Sequence, residues 1–416
     1  MRYNNNLRYA ANILGQYSGQ QPLALWLKDF YRDNKQMGSG DRHIVSELVY
    51  CYFRIGKIGP GLDAGLRILV AFFLCNHESS AFLEHLKPSW NLHISNSVED
   101  KFLWLKEEEG INLMSDELFI YKDSLSPGIN TLAFERSFLK QPKLFLRIRP
   151  NKKNIVKKKL DVSKCHYRLI DGNTLELNAG TKVDKILNID DEVVVQDFNS
   201  QQTGSLLKLV KHGTVSNPIR VWDCCAASGG KSIMAVDLVK NMNLTVSDKR
   251  ESILDNLHSR FAKAGINNYN YFVADLSRNF KRSGTQIHRK AIGSSLKVLN
   301  NEDKNEKNTF DLIICDVPCT GSGTWARSPE QLFYFNESEI ERCSTLQKKI
   351  LDNVIPFLAP GGQLLYITCS VFNNENDDNV AYIQETLDMQ LITASVFKGY
   401  SIYADTLYAA LLSSPV

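Results

Sequence analysis

The sequence lacks a C-x-x-C pair among its nine cysteines, which removes the usual spacing for a zinc site. The thiols are odd in number and irregularly placed, with only Cys224 and Cys225 adjacent, so reduced cysteines are expected and no disulfide framework. An apolar signal segment is missing from the start, MRYNNNLRYAAN. The longest apolar run near it, Leu66 to Cys75, is interrupted by Arg67 and far too short to span a bilayer. These absences predict a cytoplasmic protein with no membrane and no metal. Charge of one sign is scarce too: the formal net charge is +3, which by itself says nothing about nucleic acid. A phosphate-binding G-x-x-x-x-G-K-[ST] is absent as well. Gly229-Gly230-Lys231-Ser232 carries Cys225 where the first Gly is needed, which disfavours an ATPase. What is present describes a folded chain: 43% hydrophobic and 23% charged residues, and 416 residues in all, enough for two or three domains.

From Asn5 to about Leu139 apolar residues recur at helical spacing, as in Leu23, Leu25, Trp26 and Phe30, and again in Ile44, Leu48, Val49 and Phe53. Gly38-Ser39-Gly40-Asp41 has the look of a turn with an N-cap starting a helix. A helical bundle whose stripes are core explains this region, which alone says nothing of function. Between Lys140 and Arg168 stand eleven Lys and Arg against one acid, Asp161. The pattern predicts a strand over Leu144 to Ile148 with Arg147 and Arg149 facing outward, then a helix carrying Lys152, Lys153, Lys157, Lys158 and Lys159. Such a cluster is either a solvated face or the footprint of phosphate binding. Short strands near Thr174 to Leu177 and Glu192 to Gln196 close a small α+β unit near Val210.

From Ile219 the chain alternates strand and helix, which predicts a parallel sheet with helices on both faces. The expected strands are Val221-Trp222, Leu244 to Val246, Tyr269 to Val273, Leu312 to Cys315 and Gln363 to Thr368. Helices are expected over 231–240, 251–264 and 337–358, the last stopped by Pro360-Gly361-Gly362. A polar run, 277–309, interrupts the alternation as a surface insertion.

The chemistry sits at the ends of these strands, where ligands bind in open α/β sheets. Asp223-Cys224-Cys225-Ala226-Ala227-Ser228-Gly229-Gly230-Lys231 is a small-residue turn that lets backbone approach a ligand at a helix N-terminus. Asp248 closes the next strand, placed to accept from ribose hydroxyls, and Asp275 the third, suited to an adenine amino group. A turn of small residues followed by two such acids favours a nucleoside-containing cofactor over helix caps or surface charges. Asp316 and Cys319 lie on an irregular loop after a doubly buried strand, and Cys369 follows another. A lone thiol is more often inert core than chemistry.

DCCAASGGKS, SDKRE, VADL, DVPCTGSGTWARSPE and LLYITCSVFNNEN, in this order, resemble the RsmB and Nop/Sun family of RNA 5-methylcytosine methyltransferases, from about Ile219 onward. The N-terminal GDRHIVSELVYCYFR looks like the helical, NusB-like RNA-binding domain of the RsmB branch, and the basic unit is similar to a small RRM-like domain. Ser228 departs from the family, which usually has Pro there. The resemblance implies a helical domain over 1–139, an α+β unit over 140–212 and, over 213–416, a Rossmann-like methyltransferase domain with a mostly parallel seven-stranded sheet. It implies S-adenosyl-L-methionine as cofactor, held by residues 224–231 with Asp248, Arg250, Asp275 and Asp316. The partner it implies is RNA, ribosomal over transfer RNA, at a single-stranded or loop site, met by a monomeric chain.

Cytosine carbon 5 is a poor nucleophile, and addition of a thiolate at carbon 6 turns it into an enamine that takes an electrophilic methyl group. The resemblance makes Cys369 the attacking thiol, Cys319 the group that assists release, and Asp316 the carboxyl near ring nitrogen 3. The residues alone do not choose between the two thiols, because DNA cytosine methyltransferases attack with a Pro-Cys thiol. Two other readings compete: an RNA-binding assembly factor that does not turn over, which would need none of Asp316, Cys319 and Cys369, and a DNA cytosine methyltransferase, which the second cysteine and the basic unit disfavour.

Overall fold

A computed structural model describes residues 2–210, 212–278, 287–290, 297–299 and 309–415. The chain forms two compact units, one of Met1–Leu125, Asn130–Pro142 and Thr324–Glu337, the other of Ser126–Ile129, Lys143–Gly323 and Ser338–Val416.

The first unit is helical: α1 (Arg2–Gln16), α2 (Leu23–Asp33), α3 (Ser39–Arg54), α4 (Ala64–Cys75), α5 (Ala81–Leu86), α6 (Pro88–Leu92), α7 (Val98–Glu108) and α8 (Thr131–Phe138). The expected stripes point inward at Leu23 and Phe30 of α2 and Leu48, Val49 and Phe53 of α3, whereas Leu25 is exposed. The turn expected around Asp41 is part of α3 itself. Gly38 is the cap residue, without a side-chain cap, and Asp41 lies in the first turn, where it holds Arg2 at 2.8 Å. Thr324–Glu337 belongs to this unit, although it directly follows the Cys319 loop in the chain. Arg54, buried on α3, donates to the carbonyls of Phe138, Lys140 and Ala326, so one guanidinium satisfies three backbone acceptors from two stretches of chain.

The second unit opens with the small α+β element: β1 (Leu144–Ile148), α9 (Lys153–Val162), β2 (Arg168–Asp171), β3 (Thr174–Leu177) and β4 (Val193–Val195), in the antiparallel order β2-β3-β1-β4. Two short helices, α10 (Phe198–Gln202) and α11 (Gly204–Leu207), lead on to β5 (Ile219–Asp223). There follow α12 (Gly230–Leu238), β6 (Met242–Asp248), α13 (Glu251–Lys263), β7 (Tyr269–Val273), β8 (Ile287–Lys290), β9 (Lys297–Leu299) and β10 (Phe310–Asp316). In the first unit lies α14 (Pro329–Tyr334); the second resumes with α15 (Ser338–Val354), β11 (Leu358–Thr368), α16 (Asp377–Glu385), β12 (Gln390–Phe397) and β13 (Leu407–Ser413).

The outward placing of Arg147 and Arg149 is corrected. Both guanidiniums turn onto Asp237 of α12, at 2.5 and 2.7 Å, and their side chains are 10% and 11% exposed. A strand shared between a small sheet and the α12 surface has no solvent face there, and one carboxylate accepts from both arginines, with Arg147 Nη2 left without a hydrogen-bond partner among the described residues. Elsewhere on the basic segment Lys152 pairs with Asp191 and Lys159 with Glu192.

The large sheet runs β12-β13-β11-β10-β5-β6-β7-β8-β9. Strands β11, β10, β5, β6 and β7 are parallel, and β13 and β12 add an antiparallel edge, giving the seven-stranded Rossmann-like core. Strands β8 and β9 come from the polar insertion and extend the other edge, β8 antiparallel to β7 and β9 antiparallel to β8. The rest of that insertion, 279–286, 291–296 and 300–308, lies outside the described residues. Alternation of side chains splits the core in two: Val221, Val246, Ile314 and Leu365 face one apolar layer, Trp222, Ile313 and Tyr366 the other. The helix expected to reach Leu358 stops at Val354, where Pro356 removes a donor, and β11 already begins at Leu358. Pro360-Gly361-Gly362 therefore sits inside the strand as a register shift against β10.

Candidate active site

Parallel pairing places the carboxyl ends of β5, β6, β7, β10 and β11 side by side, and the chemistry-bearing residues collect there. The Cys224 N–H donates to Ile314 O on β10 and the Ala226 N–H to Ser247 O on β6, so the turn after β5 is pinned between its two neighbours. Burial, then hydrogen bonds with Cys225 and Cys315, push the Cys224 thiol well above its ordinary value, as in an inert core thiol. Cys225 is half-buried. Ala227 has φ 45°, and its N–H donates to Asp248 Oδ2 at 3.0 Å. Gly229, at φ 85°, is required for packing: a Cβ there would meet Phe261 at 2.6 Å. Ser228 accepts from Arg260 through both its carbonyl and its hydroxyl, at 3.0 Å each. Arg260 also pairs with Asp190, so the serine at this position has a local partner that a proline side chain could not offer. Helix α12 starts at Gly230 without a side-chain cap, which leaves its N-terminus suited to an anionic group.

Asp248, 8% exposed, accepts from the backbone of Ala227 and of Arg250 through different oxygens. The Arg250 guanidinium stays 3.5 Å from it, largely exposed. Asp275 does not close β7 as expected, because the strand ends at Val273 and Asp275 lies two residues beyond. It accepts from Ser277 and pairs with Lys249 at 3.1 Å; the Ser277 hydrogen bond, more than Lys249, holds its carboxyl below the usual range. Asp223 is fully buried, with Ser232 Oγ donating to Oδ2 at 2.5 Å and no partner at Oδ1 among the described residues. Burial pushes its carboxyl up to about 7 against the lowering effect of Ser232, with Asp316 adding to the rise.

Lys231 reaches across to β10, where its Nζ lies 3.0 Å from Asp316 Oδ2. Burial alone would lower this ammonium, yet Asp316 and then the Cys369 sulfur hold it up. Cys319 and Cys369 are brought together although 50 residues apart: the Cys369 N–H donates to Cys319 Sγ at 3.3 Å. Gly323 fixes the approach. Its N–H donates to Cys369 O at 2.9 Å, its own carbonyl accepts from Thr406, and a Cβ would stand 1.8 Å from Thr406 O. The Cys319 thiol is raised well above its ordinary value by the hydrogen bond with Cys369, then by burial, then by the charges of Cys369 and Glu375.

Glu375 was missed by sequence reasoning, as was the turn of Lys231 toward Asp316. The signal for Glu375 was slight, one acid in the polar run Asn373-Asn374-Glu375-Asn376, which resembles a surface turn. Among the described residues no group of three or more His, Cys, Asp or Glu is placed to hold a metal ion, and no helix is long and apolar enough to cross a membrane.

Residues 214–407 match the family model described as 16S rRNA methyltransferase RsmB/F. A curated relative named ribosomal RNA small subunit methyltransferase B, from Shewanella oneidensis, is 30% identical over 204 residues, which is 48% of this chain and 40% of that protein. A second of the same name, from Xylella fastidiosa, is 28% identical over 201 residues, 47% of this chain and 40% of the relative. The chain thus spans 40% of the length of the curated relatives it matches. Among solved structures, PH0851 aligns over 99% of this chain and 98% of its own at TM-score 0.64 and 18% identity, a likeness of fold.

Proposed function

We propose that this chain, whose residues 214–407 match the RsmB/F family model, transfers a methyl group from S-adenosyl-L-methionine to carbon 5 of a cytosine in RNA, through a covalent cysteine adduct at carbon 6. Ribosomal RNA is the substrate class, in line with the names of the curated relatives. The observation that carries this reading is the pairing of two thiols, Cys319 and Cys369, beside the Lys231–Asp316 ion pair at the strand ends. A binding protein would need none of these groups in such proximity.

The cofactor, when bound, supplies an electrophilic methyl group. The residues present fit it: the uncapped N-terminus of α12 suits its carboxylate, and Asp248, with lone pairs left after two backbone contacts, suits ribose hydroxyls. Asp275, two residues past the end of β7, suits the adenine amino group.

Cys369 adds as thiolate to carbon 6, forming the carbon–sulfur bond while the ring's electron pair shifts toward carbon 5 and the ring nitrogen. Asp316, held by the Lys231 ammonium, accepts from ring nitrogen 3 once that nitrogen has taken up a proton, which makes carbon 6 more electrophilic. After methylation a proton leaves carbon 5 and Cys369 is expelled; Cys319, on the opposite loop, assists that release. The base must be unstacked to be reached, which favours a single-stranded or loop site. The α9 lysines Lys153, Lys157 and Lys158 are exposed and suit phosphate contacts, and the helical unit serves RNA binding in the same reading.

The test is transfer of radiolabelled methyl from S-adenosyl-L-methionine to ribosomal RNA isolated from cells lacking the gene, with bisulfite sequencing to locate the product. One protected cytosine that appears only with the protein is expected. Label at another atom, or none, would overturn the reading.

A further inference from the structure

Glu375, on the turn Asn373–Glu375 after Cys369, is completely buried between the two thiol loops. Its Oε2 accepts from the Thr320 N–H at 3.0 Å and from Gln347 Nε2 at 2.8 Å. Its Oε1 accepts from the hydroxyls of Thr320 and Ser370, each at 2.5 Å. Thr320 is the residue after Cys319, and Ser370 the residue after Cys369. One carboxyl group therefore holds the immediate neighbours of both thiols, and every contact it makes is from a donor. Gln347 is fixed in turn: it donates to Pro318 O at 3.0 Å, and its Oε1 accepts from Tyr366 and Asn379. On the other side of the thiols the Gly323 to Cys369 hydrogen bond is the second tie.

We propose that Glu375 is a positioning residue for the thiol pair, setting the separation and direction of the Cys319 and Cys369 sulfurs so that one can add to the base and the other can assist its release. The inference rests on the cysteine-adduct reading above. Ordinary packing would account for a buried side chain, but not for a buried acid whose partners are the residues next to each of two reactive groups. Buried polar groups of this kind persist where every donor is satisfied, and their loss leaves several donors unpaired.

Glu375→Gln separates shape from charge. The amide oxygen can take the Oε2 place and accept from Thr320 N–H and Gln347, while the amide NH2 can donate to the two hydroxyls, which are able to accept. Glu375→Ala removes the tie altogether. Two measurements on the full chain read the outcome. The first is closure of a Cys319–Cys369 disulfide by diamide, which oxidises the two thiols and is itself reduced to the hydrazine, followed by peptide mass. The second is methyl transfer to ribosomal RNA. Glu375→Gln should close the disulfide at the wild-type rate. Glu375→Ala should close it about tenfold more slowly and lose about a hundredfold in kcat, the scale of a misplacement near 1 Å, with KM for S-adenosyl-L-methionine unchanged. If Glu375→Ala does not fold, the double variant Thr320→Val, Ser370→Ala should slow closure by itself. Closure at the wild-type rate in whichever of these variants folds would overturn the proposal. The disulfide needs neither RNA nor cofactor. Closure that depends on Glu375, in a wild-type protein that transfers no methyl group, would therefore defeat the adduct reading and leave the tie standing; methyl transfer with closure independent of Glu375 would defeat the tie alone.

Discussion

In the small unit around β1 two cations are turned inward, Arg147 and Arg149 sharing Asp237, while Lys152 and Lys159 pair nearer the surface with Asp191 and Glu192 and the other α9 lysines face solvent. At the ends of β10 and β11 the opposite holds. Cys319 and Cys369 meet although 50 residues apart, and Lys231 crosses from α12 to join Asp316. The difference teaches what each kind of pattern is worth. A charge cluster is defined by sequence proximity, and a strand or helix sends neighbours to different faces, so the cluster is dispersed by folding. Residues at the carboxyl ends of parallel strands are collected by folding, because the sheet brings every such end to one edge.

The largest effect that sharpens this contrast is in Asp237→Ala, which leaves two buried guanidiniums unpaired. It should cost about 3–5 kcal/mol of unfolding free energy in denaturant titrations, while the folded protein binds RNA as before. A loss of RNA affinity without loss of stability would instead put Arg147 and Arg149 back on a binding face. At the strand ends, Asp248→Ala should weaken S-adenosyl-L-methionine binding by about 1.5–3 kcal/mol in calorimetry, the worth of hydrogen bonds to a charged group. Unchanged affinity would remove Asp248 from the site.

A pH series probes the buried end of the same edge. Asp223 is raised to about 7 in the folded protein, chiefly by burial, against an ordinary carboxyl in the unfolded chain. The folded state binds more protons between those values, so the stability Asp223 contributes is full below about pH 4 and is lost as pH rises through about 7. Asp223→Asn should flatten that slope in thermal melts, and a parallel pH profile in the variant would assign the slope to another group. The smallest effect belongs to the exposed lysines. Lys157→Ala with Lys158→Ala should flatten the slope of log affinity against log salt by about 1.4, at roughly 0.7 per contact on single strands, and an unmoved slope would make them a solvated face.

Much of the site was legible before folding was considered, for a physical reason. Strands β5 and β10 carry apolar runs because both faces are buried, and the first polar residue after each run, Asp223 or Asp316, is a strand end; in β6 the buried Ser247 precedes the terminal Asp248. Asp275 was placed two residues too near its strand, since Ala274 prolongs the apolar run after pairing in β7 has ended. Glu375 was not legible. Its burial is created by Thr320, 55 residues upstream, and by Gln347 of α15, and a polar run rich in Asn carries no periodicity that would announce an interior acid. The inward arginines escaped for the same kind of reason, because their partner Asp237 lies about ninety positions away on a different element. The C-terminal hairpin of β12 and β13 was not resolved as separate strands, although β13 is buried along nearly its whole length.

The account stands on the division of labour between the paired thiols, Cys369 for attack and Cys319 for assisting release. Denaturing electrophoresis of Cys369→Ala and Cys319→Ala, each incubated with the same ribosomal RNA and S-adenosyl-L-methionine, tests it most directly. The account predicts no turnover in either variant, a nuclease-sensitive protein–RNA adduct in Cys319→Ala, and none in Cys369→Ala. An adduct in Cys369→Ala with none in Cys319→Ala would contradict it and make Cys319 the nucleophile.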